Sequence, residues 1–186
     1  MSTELEAKKV QEGALLSDAT TDDYFVVPKE EWEVGEWTNE LDYLYFDFGD
    51  YPSLILRSAY GSLNGYIAVP EGHPWFLEDA DRIRGASMEI TWASHEDHLH
   101  PLPLGWPIAW WVGFSCSSIR DYMPALAASV RGFGYRSSLI SNPRQTYKPI
   151  PYVRSQIEIL TQNADHAMMV HKHQSAGGNL VPRRRE

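Results

Sequence analysis

The sequence has a single cysteine, Cys116, and no apolar run long enough to cross a bilayer. One cysteine excludes an intramolecular disulfide framework, and with no apolar leader this predicts a reducing, cytoplasmic setting. A membrane-spanning helix needs about 20 mostly apolar residues, so we expect no contact with a membrane.

The familiar catalytic signatures are missing as well. The sequence contains no Walker loop, no Gly-x-Gly-x-x-Gly, no Gly-x-Ser-x-Gly and no His-Glu-x-x-His. These absences remove the most common nucleotide-hydrolase, dehydrogenase, esterase and zinc-protease interpretations. No cofactor is predicted.

Positive charge is scarce at the start of the chain. Residues 1–50 hold 14 Asp and Glu against 3 Lys, a net charge of −11, whereas the other 136 residues carry +2. An acidic surface repels a phosphate backbone, so general nucleic-acid binding is not expected. The slightly basic remainder can still accept one small anionic ligand.

Aromatic residues are plentiful, with 7 Trp, 10 Tyr and 6 Phe among 186 residues. Short apolar and aromatic runs separated by turn residues predict strands, whereas apolar residues at helical spacing predict helices. The predicted strands are Leu41–Phe48, Tyr51–Tyr60, Tyr66–Val69, Met88–Trp92 and Ile108–Phe114, and the predicted helices are Asp121–Val130 and Tyr152–Gln162.

These elements predict one α+β domain over residues 24–165. Its mostly antiparallel sheet of about five strands would be covered by a C-terminal helix and a shorter helix. Residues 1–23 are expected to form a flexible acidic tail, and residues 166–186 a disordered one. Asn64-Gly65 predicts a tight reversal, because both residues tolerate positive φ.

Two loop regions carry residues suited to binding. Ser115, Ser117, Ser118 and Arg120 follow an apolar strand and could cradle an anion, unless the serines only cap and Arg120 pairs with Asp121. His73 lies between Pro70 and Pro74 in a loop predicted to be rigid and exposed, where it could contact a ligand or only fix the turn.

Two further chemistries are weaker candidates. The His-rich stretch from His95 to His100 has metal-ligand residue types, but its His-x-x-His-x-His spacing matches no familiar zinc motif, so no metal is predicted. Cys116 stands at a strand end, where a nucleophile could sit, but no histidine is adjacent to activate it.

Two segments resemble an uncharacterised family of small bacteriophage and prophage proteins. Members show Leu-Asn-Gly-Tyr-Val-Ala-Val-Pro-x-Gly-His-Pro, matched here by Leu63–Pro74, and Trp-Trp-x-Gly-Phe-Asp-Cys-Ala-His-x-Gly-Asp, matched in part by Trp110–Asp121. The closing Tyr-Val-x-x-Glu pattern is matched by Tyr152 and Val153. Where the family has Asp-Cys-Ala-His, this chain has Ser115-Cys-Ser-Ser118.

The resemblance implies a phage-type accessory protein in the host cytoplasm. The family's titrating Asp and His are replaced by serine, and a site without them loses proton transfer, so we expect binding rather than catalysis. The expected ligand is small, anionic and nucleotide-like, such as a host defence signal to be sequestered. The predicted binding residues are Tyr66, His73, Trp92, Trp111, Ser115, Cys116, Ser117, Ser118 and Arg120.

Two alternatives stay open. One is a protein-interaction module whose acidic, Trp-bearing segment Glu30–Asp50 docks on a basic host protein. The other is a small hydrolase using His73, His95 or His98 with Glu89 and Cys116.

Overall fold

A computed structural model describes residues 25–84, 86–95, 109–132 and 144–177. Five strands form one antiparallel sheet in the order β1-β2-β3-β5-β4. The strands are β1 (Tyr43–Phe48), β2 (Tyr51–Arg57), β3 (Leu63–Val69), β4 (Trp92–His95) and β5 (Trp110–Ser115). The helices are α1 (Pro124–Gly132) and α2 (Ile150–Gly177), with 3₁₀ turns at Lys29–Glu31, Glu36–Asn39 and Ala80–Arg82. The predicted α+β class with a five-stranded antiparallel sheet and two helices is therefore confirmed.

The long helix α2 covers one face of the sheet. Val153, Ile157, Leu160 and Ala164 recur at helical spacing and are fully buried. They pack with Leu44, Ile55, Ile67 and Val112 in the main hydrophobic core. Because side chains alternate along a strand, the neighbours of these strand residues point to the opposite face.

The predicted Asn64-Gly65 reversal is wrong. Both residues lie inside β3, paired with Leu56 and Ile55 of β2. The reversal comes earlier, where the N–H of Ser58 donates to the carbonyl of Ser62 at 2.7 Å. Gly61 supplies the positive φ that this turn needs, at +90°.

Gly65 and Gly113 serve a steric purpose instead. In the β3–β5 ladder Gly65 is paired with Phe114 and Gly113 with Tyr66. A Cβ on Gly65 would lie 2.5 Å from Cζ of Phe114, and one on Gly113 would lie 2.2 Å from Cδ1 of Tyr66. Each glycine therefore makes room for the aromatic ring of its partner, one pair on each face of the sheet.

The predicted bounds of one strand and one helix need the largest corrections. Strand β4 spans Trp92–His95 rather than Met88–Trp92. Helix α2 begins at Ile150 and runs to Gly177, well past Gln162, so residues 166–177, assigned to the C-terminal tail, are helical. The predicted N-terminal tail and the segment from Glu96 to His100 lie outside the described residues.

The loop after β3 is only partly exposed. Glu71 and Gly72 are exposed, but His73 retains 3% of its surface and Trp75 retains 2%. The expectation that His73 sits in an exposed loop is therefore wrong, because its ring enters the core beside Tyr51 and Trp75.

Candidate functional site

The sheet face opposite α2 carries four of the predicted binding residues. Tyr66 and Trp111 are buried there with Leu54, Ala68 and Ala109, and Trp92 packs against this cluster. Ser115 shares the face because it is paired with Asn64, two residues before Tyr66 on β3. We call this surface the aromatic face.

Strand register places rings in one row across the sheet. Tyr45 is paired with Leu54, Leu54 with Tyr66, Tyr66 with Gly113, and Gly113 with Trp92. Since Gly113 has no side chain, Tyr66 meets Trp92 across it, with ring centroids 5.3 Å apart and planes at 83°. Edge-to-face contacts of this kind are favourable and hold both rings in place.

The next row along the strands is more polar. Tyr43 is paired with Leu56, Leu56 with Asn64, and Asn64 with Ser115. The Asn64 amide donates to the hydroxyl of Tyr66 at 3.2 Å. Adjacent strands lie about 4.8 Å apart, so the row spans three such steps from Tyr43 to Ser115.

Two polar atoms of this row are buried and unpaired. Neither the Tyr43 hydroxyl nor Oδ1 of Asn64 has a hydrogen-bond partner among the described residues. Burial raises the pKa of Tyr43 to about 12, so its hydroxyl is a neutral group able to donate and accept. A buried polar atom without a partner costs about 1–3 kcal/mol, and a ligand that pairs with it recovers that cost.

Tyr43 and Asn64 were not among the predicted site residues. The alternation of tyrosines with Leu44 and Phe46 in β1 was a usable signal, since it places Tyr43 and Tyr45 on one face. An asparagine within the apolar strand Leu63–Val69 was another, but it was interpreted as a turn.

The serine-rich turn after β5 is already occupied by the protein's own carboxylate. Oδ2 of Asp121 accepts from the N–H of Ser118 at 2.9 Å and from its hydroxyl at 2.7 Å. The Ser117 hydroxyl lies 2.9 Å from that of Ser62. An anion at Ser118 would have to displace Asp121, so the cradle is closed at that residue.

Arg120 remains available at this end of the sheet. Its backbone bonds to Ser118 and Thr146, whereas its guanidinium pairs with no described side chain. It follows Ser115 by five residues. The capping alternative predicts that Arg120 only pairs with Asp121, but it forms no such ion pair. The cation near Asp121 is Lys148.

His73 lies on the other side of the sheet and is fully engaged. The N–H of Trp75 donates to Nδ1 at 3.0 Å, and Nε2 lies 3.1 Å from the carbonyl of Ala164. This pattern fits the neutral ring with its proton on Nε2, and burial lowers the pKa of His73. The imidazole thus joins the β3 loop to α2.

Cys116 belongs to the α2-side core, at 6% exposure. Burial, and secondarily the nearby Asp121 carboxylate, raise the pKa of the thiol to about 12. At neutral pH it is the unreactive thiol form. The structure does not bring His73, Cys116 and Arg120 together, since the ring of His73 contacts Tyr51 and Trp75 rather than the end of β5.

The acidic segment Glu30–Asp50 leaves several of its carboxylates exposed, whereas its two tryptophans pack against other residues. Glu30, Glu31 and Glu36 are exposed. Trp32 is buried and donates to the carbonyl of Val27, and Trp37 packs on the rings of Tyr122 and Tyr147. A partner docking on this segment would meet the exposed carboxylates and part of Trp37, but not Trp32.

Over the part of the chain that is described, no helix is long and apolar enough to cross a membrane. In the same residues no three His, Cys, Asp or Glu side chains are grouped as metal ligands would be.

The chain is thus an α+β protein whose sheet carries an aromatic, partly polar and largely buried face opposite α2. No protein-family model, no curated protein and no solved structure matches this chain.

Proposed function

We propose that this chain is a binding module whose aromatic face takes a small, flat, nucleotide-like ligand. The observation that carries the proposal is the pair of buried, unpaired polar atoms, Tyr43 OH and Asn64 Oδ1, in a row beside Tyr66 and Trp92. A heteroaromatic base has a flat face for ring contacts and an edge of donors and acceptors for these atoms.

The anionic part of the ligand is assigned to Arg120 and Ser115. The Arg120 guanidinium pairs with no described side chain, and Ser115 stands at the end of the polar row. Of the other predicted contacts, Ser117 and Ser118 are bonded to Ser62 and Asp121, so they support the loop rather than contact the anion.

The resemblance to phage proteins suggests the biological use. The titrating Asp and His of the resembled motif are replaced here by serine, so the chain would hold a ligand without converting it, and in a host cytoplasm this would sequester a nucleotide signal. That use rests on the shared motifs alone.

The test is a titration with matched ligands, followed by calorimetry or by tryptophan fluorescence, since Trp92 and Trp111 lie on this face. The probes are nucleoside monophosphates, cyclic nucleotides, the corresponding nucleosides and inorganic phosphate. We expect nucleotides to bind more tightly than nucleosides, and phosphate alone to bind weakly. Failure of every base-containing probe to bind at millimolar concentration would contradict the proposal.

Two variants separate the two halves of the site. Tyr43→Phe removes one hydroxyl and should weaken nucleotide and nucleoside alike by about 5- to 30-fold, the equivalent of one buried hydrogen bond. Arg120→Ala should remove the difference between nucleotide and nucleoside. Arg82→Ala, a change at another exposed arginine, is the control and should leave binding unchanged.

A further inference from the structure

A cleft lies where β5 ends, on the α2 side of the sheet. It has a volume of about 140 Å³. The residues that line it are Met88, Glu89, Phe114, Ser115, Cys116, Asp121, Lys148, Tyr152 and Gln156. It shares only Ser115 with the aromatic face as described above.

Opposite charges face each other in this cleft without a hydrogen bond between them. Oδ1 of Asp121 is 3.9 Å from Nζ of Lys148, which is beyond hydrogen-bond range. The Asp121 side chain is 10% exposed, and its other oxygen is held by Ser118. Lys148 donates to Thr146 Oγ1 at 3.0 Å and lies over the ring of Tyr152. Each charge therefore keeps unused hydrogen-bonding capacity.

Two further polar groups at the cleft are unengaged. The Gln156 amide and the exposed Glu89 carboxylate form no hydrogen bond or ion pair with any described residue. The cleft thus offers one cation, two carboxylates and one amide. Cys116 adds a neutral thiol.

The volume limits what can enter. At about 30 Å³ per water, the cleft holds four or five waters, or a molecule of roughly five to eight non-hydrogen atoms. This is well below the 300–1,000 Å³ of sites for drug-sized ligands, so the cleft cannot enclose a nucleotide.

We infer that this cleft binds a small zwitterion, an amino acid of the size of glycine to serine. Its carboxylate would accept from Lys148, and its ammonium would donate to Asp121 Oδ1 and Glu89. A molecule that carries both charges complements both walls, whereas a simple anion or a simple cation leaves one wall unpaired.

The full chain is titrated with glycine and L-serine by calorimetry. Glycinamide lacks the carboxylate, acetate lacks the ammonium, and L-tryptophan is too large. We expect glycine and serine to saturate with a dissociation constant of about 1 mM or tighter, and each of the other three to bind at least tenfold more weakly. Equal responses to glycine, glycinamide and acetate, or no saturable response to glycine and serine, would overturn the inference.

Variants locate the binding. Lys148→Met should weaken glycine binding at least tenfold, and Lys172→Met, at an exposed lysine of α2, should not change it. Glu89 is exposed and unpaired, so Glu89→Gln keeps the fold and should weaken binding at least threefold even if Lys148→Met proves unstable. Tyr43→Phe should leave glycine binding unchanged, which separates this cleft from the aromatic face. Unchanged binding in both Lys148→Met and Glu89→Gln would also overturn the inference.

Discussion

The two faces of the sheet treat buried polar groups in opposite ways. On the α2 side, Arg57 is 1% exposed, yet each guanidinium nitrogen has a partner: Asp42, Glu40, Tyr147 or the carbonyl of Gly61. On the aromatic face, the single hydroxyl of Tyr43 and one oxygen of Asn64 have no described partner.

This difference sets a completed polar network against an incomplete one within one sheet. Burial alone would lower the pKa of Arg57, but Tyr147 and Asp42 raise it above its ordinary value, so the charge is held firmly. Glu40 also accepts from the N–H of Ile150 at the start of α2. A network completed internally stabilises the fold, whereas an incomplete one leaves polar atoms whose burial is not offset by a hydrogen bond.

The largest expected effect comes from breaking the completed network. Arg57→Met leaves Glu40 and Asp42 without their buried cation, and removing one partner from such a network costs about 3–5 kcal/mol. Urea unfolding would measure this loss. Lys29→Met is the control, because Lys29 reaches Asp42 from a more exposed position and should cost less than about 1 kcal/mol. Equal losses of unfolding free energy in the two variants would mean that burial does not determine how much these ion pairs stabilise the fold.

Filling the two glycines tests each face in turn. Gly113→Ala sets a Cβ against the Tyr66 ring, and Gly65→Ala sets one against Phe114 and Ile157. Overpacking of this kind costs about 1–3 kcal/mol, which chemical denaturation would show. Tyr66→Leu should partly rescue Gly113→Ala but not Gly65→Ala. If both alanine variants were as stable as the parent, the steric assignment would be wrong.

The pH dependence of stability should reveal the protonation of His73, which is buried on the α2 side. Its pKa is lowered in the folded state by burial, so below about pH 6.5 the unfolded chain binds the proton more readily. Stability is therefore complete above that pH and falls as the pH decreases, with a slope of at most about 1.4 kcal/mol per unit for one proton. Melting temperatures between pH 7.5 and 5.5 would show it.

His73→Asn is the matched variant for this measurement. Asparagine can still accept from the N–H of Trp75 but does not titrate, so the variant should be less stable at pH 7.5 and show a flatter pH profile. An unchanged slope would assign the pH dependence to other groups.

The smallest expected effect has the opposite sign. Tyr43→Phe removes a buried hydroxyl that has no described partner, so the ligand-free protein should keep its stability or gain up to about 1 kcal/mol. Tyr60→Phe, at a half-exposed hydroxyl, serves as the control. A loss of more than about 1 kcal/mol in Tyr43→Phe would show that the hydroxyl supports the fold.

Local sequence patterns were sufficient for most of the architecture. The alternation in Leu41–Phe48, the apolar run ending at Phe114 and the spacing of Val153, Ile157 and Leu160 each reflect burial of one face, which a single segment records. The end of α2 was missed because residues after Ala164 are largely exposed, so they carry no apolar stripe to mark the helix.

The misses in the loops and the site depend on contacts between distant segments. Position 65 is a glycine because the ring of Phe114 lies against it, and His73 is buried because its ring reaches the carbonyl of Ala164. Both partners are distant in sequence. Tyr66, Trp92, Trp111 and Ser115 were predicted as binding residues, but their common face follows from strand register. Whether they bind a ligand stays a prediction.

The pairs Gly65–Phe114 and Tyr66–Gly113, which join β3 to β5, also constrain how this sequence can change. A shift of β5 by two residues along β3 would keep every side chain on its own face, but it would set Tyr66 against Trp111 or Ser115 and Phe114 against Ile67 or Leu63 instead of glycines. The ladder therefore has one alignment that fits both rings. A descendant of this chain that enlarges either glycine is expected to shrink the facing ring as well, so the two motifs should evolve as a pair.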